Sequence, residues 1–208
     1  MKLGLSQRMG LLVGGCAIAF LVCAIAATIL YGTYRQQSEA PFIMAGATFL
    51  HLPVASVGSQ RISYADYITQ LKAERIFLAS PAAQGSNLPT VPGSQQKQDV
   101  LDRLIRADAV GQWANEQKIS VSTLDVDNAF NQLMQHAGTS TTPGEVDVFL
   151  NQSFGWNEQQ FKDYVVRPAL LEEVLRQHLV PTAKDQAAFD SQLATRLKAP
   201  NVKMYLKF

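Results

Sequence analysis

The chain has 208 residues, 47% of them hydrophobic and 17% charged, with 18 Lys/Arg against 17 Asp/Glu and a net charge of +1. With Lys2, Arg8 and Arg35 set aside, acidic residues outnumber basic ones by two and no basic stripe is present, which removes the electrostatic footing for nucleic-acid binding. Cys16 and Cys23 are the only cysteines, so everything after them lacks a disulfide, a thiolate nucleophile and a cysteine metal site.

No charged residue lies between Arg8 and Arg35, and Met9 to Tyr31 is almost wholly apolar. About 20 such residues in a helix rise ~30 Å, the thickness of a bilayer core. The run therefore predicts a transmembrane signal anchor over 10–31 after a cytoplasmic N-terminus, 1–9. Lys2 and Arg8 precede it, so the positive-inside rule predicts a single-pass, N-in/C-out protein of the inner (cytoplasmic) membrane, its head in the periplasm or extracellular space. A cleaved signal peptide is the rival, with A-x-A-like sites at Ala24-Ile25-Ala26 and Ala45-Gly46-Ala47, but the run is longer than the usual 7–15 residues. Residues 32–53 read as a juxtamembrane linker, unusually apolar at Phe42-Ile43-Met44 and Phe49-Leu50.

The head beyond it, of about 155 residues, suits one domain with a core of its own. Val54 to Val57 is a strand ended by Gly58-Ser59. Ser63 caps a helix to about Leu78, with Asp66 answering in the capping box. Residues 80–93 hold three prolines and two glycines and form a loop. Ser94 is the expected cap of the next helix, about Gln95 to Gln117, whose stripe is Leu101, Leu104, Ile105, Ala109 and Trp113. Ser122 with Asp125 starts a helix that buries Val126, Ala129, Phe130 and Leu133 and ends near Gly138.

Thr142-Pro143-Gly144-Glu145 opens a short helix, a Thr cap with Pro at the first position, and Gly155 stops it in a left-handed turn. Asn157 with Gln160 starts the last long helix. Pro168 in its middle removes one hydrogen bond and predicts a kink near Tyr164 to Val165. A further helix is expected over Thr182 to Leu197. Val202, Met204, Leu206 and Phe208 then alternate with polar or mixed residues as a strand, for which Val54 to Val57 is the obvious partner.

The order of these signals resembles one family. Val54-Ala55-Ser56-Val57-Gly58 with Arg61-Ile62-Ser63 resembles the VAxVNGxxIS opening of SurA-type extracytoplasmic chaperones. Val100 to Ile105 is similar to their VLDxLI helix, and Trp113 to Asp125-Val126 to their xAxxxGIxVSxxEV segment. Pro143 to Leu150, Phe154-Gly155-Trp156 and Phe161 to Leu171 resemble the short helix, glycine turn and FxxxVxxxLL helix that follow. The family's Asn-Gly turn is Gly58-Ser59 here, and Lys118 stands where a glycine is expected. The parvulin-type prolyl isomerase domain that usually follows is absent from these 208 residues.

The resemblance, with the apolar run, implies a mostly α fold: one transmembrane helix, then a SurA/PpiD-like helical domain over 54–180 with one or two short strands. Residues 181–208 form a C-terminal helix and strand that resemble the start of a parvulin domain. It implies an anchored chaperone that binds unfolded or nascent exported polypeptide near the translocation machinery, with the bilayer as its other partner. A non-catalytic front part of a prolyl isomerase and a scaffold subunit of a membrane complex are the alternatives. Candidate client contacts are Tyr64, Tyr67, Phe77, Trp113, Phe130, Met134, Phe149, Trp156, Phe161 and Tyr164, each also fit for core packing.

Nothing in the sequence points to catalysis, metal or cofactor. Glu172-Glu173 and Asp125/Asp127 are not paired on a helix face. His51, His136 and His178 lack metal-ligand spacing, and the glycines form no phosphate-binding fingerprint.

Overall fold

The computed structural model describes residues 20–208, apart from 81–82, 84, 86–87, 137–142, 181–185 and 199. The chain divides into an N-terminal unit ending at Leu52 and a larger unit, Pro53–Leu206 with Phe208.

In the first unit residues 20–31 are helical (α1) and run into a π turn, Gly32–Gln36. Gln37 then takes a left-handed conformation, φ 49°, and donates its N–H to the Gly32 carbonyl. After it comes α2, Pro41–Phe49, with the proline at the helix start, where its missing N–H costs nothing. The two helices meet through reciprocal notches. A Cβ at Gly32 would lie 2.7 Å from Ile43 Cδ1, and one at Gly46 2.5 Å from Ile29 Cδ1. Each isoleucine thus sits on the other helix's glycine, and Ile29, Thr33, Ile43 and Ala47 are buried.

This corrects the expected transmembrane anchor. Among the described residues no helix is long and apolar enough to cross a membrane. The described helical part of the run, 20–31, rises about 18 Å, against a ~30 Å bilayer core. Its last turn is used in packing against α2, which occupies the segment read as a linker. The single-pass, N-in/C-out inner-membrane placement falls with the anchor. Residues 10–19 of that expectation lie outside the described residues.

The larger unit is helical around a small sheet. β1, Pro53–Val57, is the central strand of the order β2-β1-β3. It pairs antiparallel with β2, Gln60–Ser63, across the two-residue turn Gly58-Ser59, and with β3, Val202–Met204, at the other edge. The C-terminal strand therefore does meet Val54 to Val57, with Ala55 opposite Met204 and Val57 opposite Val202. Gly58 has φ +55°, which explains how a glycine at the first turn position replaces the family's Asn-Gly. β2 is an addition to the sequence reading, because its four residues carry too short a pattern to mark a strand.

Helix α3, Tyr64–Ala79, begins as the sequence implies: Ser63 Oγ accepts from the Asp66 N–H at 3.0 Å. Helix α4, Ser94–Glu116, differs by one residue. Ser94 is inside the helix, and Gly93 is the cap, its N–H bonded to Gln96 Oε1 at 3.0 Å. At its other end Lys118 takes φ +59°. The Lys118 N–H bonds to the Asn115 carbonyl and the Ile119 N–H to the Ala114 carbonyl, the double closure usually built on glycine.

Helix α5, Thr123–His136, has the expected reciprocal cap: the Asp125 N–H meets Ser122 Oγ at 3.1 Å and the Ser122 N–H meets Asp125 Oδ2 at 2.9 Å. Helix α6 is Pro143–Phe154; the cap assigned to Thr142 and the stop at Gly138 lie outside the described residues. Gly155, φ +69°, closes α6 by donating to the Asn151 carbonyl.

Helix α7 comprises Glu158–Phe161, a π turn at Lys162–Val166, and Arg167–Leu179. Asn157 and Gln160 cap it reciprocally. The kink expected at Pro168 takes the form of the π turn, which widens the helix just where the proline brings no N–H. Helix α8, Gln186–Arg196, matches the described part of the final helix; residues 182–185 of that expectation lie outside.

Two apolar clusters of this unit include α7, and Val54, Tyr67, Ile68, Leu71, Val100 and Leu101 are fully buried besides them. One joins Phe130, Met134, Val146, Leu150, Trp156, Phe161 and Val166 from α5, α6 and α7. The other joins Val110, Trp113, Ala114, Leu175, Phe189 and Leu193 from α4, α7 and α8.

Candidate functional site

Helices α3, α4 and α7 leave a groove of about 670 Å³ between them, within the range of binding clefts. Its α3 wall is Gln70, Ala73, Glu74 and Phe77, and its α4 wall Arg103, Leu104, Arg106 and Ala107. From α7 come Tyr164, Val165, Pro168 and Ala169, with Asp163 and Glu172 beside them. The α6–α7 turn supplies Phe154 and Trp156.

Four of these rings form a continuous ladder. Phe77 stacks on Phe154 with centroids 6.0 Å apart, Phe154 on Trp156 at 5.7 Å, and Trp156 meets Tyr164 at 5.5 Å. Local sequence places each ring. Gly155 reverses the chain between Phe154 and Trp156, and a Cβ there would come 2.5 Å from Ile76 Cδ1. The π turn carries Tyr164 and Val165 into the groove beside Pro168. Behind the ladder Phe154 contacts Phe161 at 5.7 Å, and Phe161 meets Phe130 edge-on at 6.1 Å. The ladder is thus the outer layer of the first cluster.

Charge is confined to ion pairs at the rim. Arg103 Nη2 lies 2.7 Å from Glu74 Oε2, tying α4 to α3. Arg106 holds Glu172 through two bonds, 2.9 Å from Nε and 2.6 Å from Nη2, tying α4 to α7. Arg176 adds a third bond to the same carboxylate at 2.9 Å. The hydrogen bond from Arg106 holds the Glu172 carboxyl below the usual glutamate range, burial opposing it, and the Arg106 guanidinium is pushed up in turn by Glu172. Burial is the first cause that raises the Tyr164 phenol, with the Asp66 carboxylate adding to it.

Among the described residues, the lining contains no serine, threonine, cysteine, histidine or lysine. It offers an apolar aromatic surface and a rim of guanidinium–carboxylate pairs. Among the described residues no group of three or more His, Cys, Asp or Glu is placed to hold a metal ion.

The ten aromatic and methionine candidates are dispersed. Phe77, Trp156 and Tyr164 come together in the groove, with Trp156 itself buried at 5% exposure. Phe130, Met134 and Phe161 are buried behind it. Trp113 lies in the second cluster, stacked on Phe189 at 5.0 Å. Tyr64 and Tyr67 are fully covered, Tyr67 against the Phe208 ring at 6.1 Å. Phe149 is exposed on α6, outside this groove. Phe154, Leu104, Val165 and Pro168 were not singled out as contacts, although Phe154 stands in the Phe-Gly-Trp sequence around the turn. Its position next to a chain reversal was the available signal.

The profile of the SurA-like N-terminal domain family matches residues 12–175. The chain belongs to this family. No curated protein and no solved structure matches it. As a SurA-like module it carries the chaperone-related, non-catalytic part of such proteins. The match spans every groove residue and begins well before Val54, where the motif reading started. Most of the apolar run and all of α2 therefore fall within the family's region.

Proposed function

We propose that this SurA-like domain is a chaperone module that holds apolar segments of unfolded polypeptide in the α3–α4–α7 groove. Four contacting rings line a groove open to solvent, Phe77, Phe154 and Tyr164 half-buried and Trp156 buried among them, and that observation carries the reading. A folded partner hides its apolar side chains. An unfolded one presents them, and an uncharged aromatic floor takes them up by apolar burial. Phe77, Trp156 and Tyr164 are the proposed contacts among the sequence candidates, joined by Phe154. Binding and release there need no covalent step, and the paired rim charges leave the floor to apolar side chains.

Aggregation of a chemically denatured client, followed by light scattering, tests the reading. The full chain in several-fold excess is expected to suppress it. Ala169→Glu, which places a carboxylate at an exposed position of the α7 wall, is expected to lose suppression while unfolding at the same denaturant midpoint. Full aggregation in the presence of wild-type protein, or full suppression by the folded variant, would remove the groove as the client site.

A further inference from the structure

We infer that the groove takes its occupant as an amphipathic helix with acidic flanks, rather than as an extended strand. The inference rests on the client-binding reading above and narrows the class of segment held. Three observations carry it.

The first is backbone hydrogen bonding. All three long walls are helices, whose N–H and C=O groups are bonded within themselves, and Pro168 frees at most one carbonyl. An extended segment lying on the floor would leave its inward-facing backbone groups without partners. A helix carries its own hydrogen bonds and leaves nothing unpaired. Unpaired sheet edges exist only on β2 and β3 among the described strands, and neither strand lines the groove.

The second is spacing. Successive rings of the ladder stand 6.0, 5.7 and 5.5 Å apart. Side chains at i, i+3 and i+4 on one face of a helix are ~5–6 Å apart. Same-face side chains of a strand are spaced by about 6.6 Å, twice the rise per residue, and drift out of step with the ladder.

The third is the rim. Arg103 and Arg106 project from α4 with side chains 57% and 44% exposed, while their partners Glu74 and Glu172 are 18% and 17% exposed. The outward charge of the α4 wall at these two positions is therefore positive, while Asp163 on the α7 wall, 46% exposed, is paired with Arg167. The α4 side complements glutamate or aspartate flanking the apolar stripe of the occupant.

Peptides of identical composition separate the two modes. One places leucine and phenylalanine at every third and fourth position with glutamates on both flanks; its isomer alternates the same residues with period two. Binding to the full chain is followed by intrinsic tryptophan fluorescence and by circular dichroism of the bound peptide. The helix-patterned peptide is expected to bind about tenfold tighter or more and to gain helical signal on binding. Exchanging its glutamates for lysine is expected to weaken binding by about fivefold at low salt.

Equal or tighter binding of the alternating isomer overturns this inference and leaves client binding in the groove standing. Equal binding of the lysine-flanked peptide overturns the acidic-flank assignment. Binding retained by folded Ala169→Glu overturns the placement in this groove. If neither isomer binds and aggregation is not suppressed, both the inference and the functional reading fall.

Discussion

Each of the two tryptophans anchors an aromatic cluster, and the clusters end differently. Around Trp113 the chain supplies its own cover: α8 lays Phe189 and Leu193 over the ring, each 2% exposed. Arg196 then stacks its guanidinium 4.8 Å from the indole while binding Glu116 through two nitrogens. Around Trp156 the same kind of layer, Phe77, Phe154 and Tyr164, has no described helix laid across it and lines a groove instead. Aromatic layers of the same kind thus give a sealed core where a further helix is provided and an open groove where none is described. The difference lies in what covers the layer rather than in its composition.

The largest effect should come from unsealing the covered side. Phe189→Ala removes a fully buried ring and should cost about 3–5 kcal/mol, read as a shift in the denaturant midpoint. If the two clusters differ only by their cover, the variant should also bind a hydrophobic dye beside Trp113.

On the open side, Gly155→Ala should cost about 1–2 kcal/mol, because an alanine pays the left-handed penalty at φ +69°. The flexible tip of Ile76 must also move aside. Peptide affinity should fall with it, since Gly155 sets the angle between Phe154 and Trp156. Unchanged affinity in a folded variant would show that the ladder tolerates the shift.

Lys118→Gly acts in the other direction. It relieves the left-handed strain at φ +59° at the end of α4 and should stabilise the domain by about 1 kcal/mol, with client binding unchanged. A midpoint that does not rise would show that the lysine side chain compensates for its backbone.

The smallest effect concerns the rim. The Glu172 carboxyl is held below the usual glutamate range, first by the hydrogen bond from Arg106. Its contribution is therefore present above about pH 4.3 and is lost as pH falls through the lower folded value. Solvent screening keeps it under about 1 kcal/mol. Glu172→Gln should flatten this part of the acid limb of the stability profile. An acid limb identical to wild type would assign the loss to other carboxylates.

Much of the local structure was legible because it depends on neighbours in sequence. The reciprocal caps at Ser122–Asp125 and Asn157–Gln160, the left-handed stop at Gly155 and the disturbance before Pro168 all follow from residues within a turn or two. At Gly93 the same logic missed by one position, because the Gln96 side chain serves the glycine N–H and leaves Ser94 inside the helix.

What was not legible depends on distant partners. Periodicity marks Trp113 as an apolar-face residue and the glycine turn sets off Trp156, but neither signal says which one a later helix will cover. The apolar run before Tyr31 has the hydropathy of a membrane span. That the isoleucine of α1 finds a glycine notch in α2 depends on the close fit of Ile29 to Gly46, to which hydropathy is blind.

Helix α7 belongs to both clusters, and its π turn is what lets it do so. One residue more than the α repeat needs, inserted between Lys162 and Val166, advances the helix by about 100° of rotation. Phe161 ahead of that phase shift and Tyr164 and Val166 within it serve the Trp156 side, to which Leu170 still packs, whereas Leu171 and Leu175 behind it serve the Trp113 side. A single-residue deletion there would bring the two halves back into step. Only one tryptophan could then keep its neighbours, so the length of this short segment matters as much as its composition.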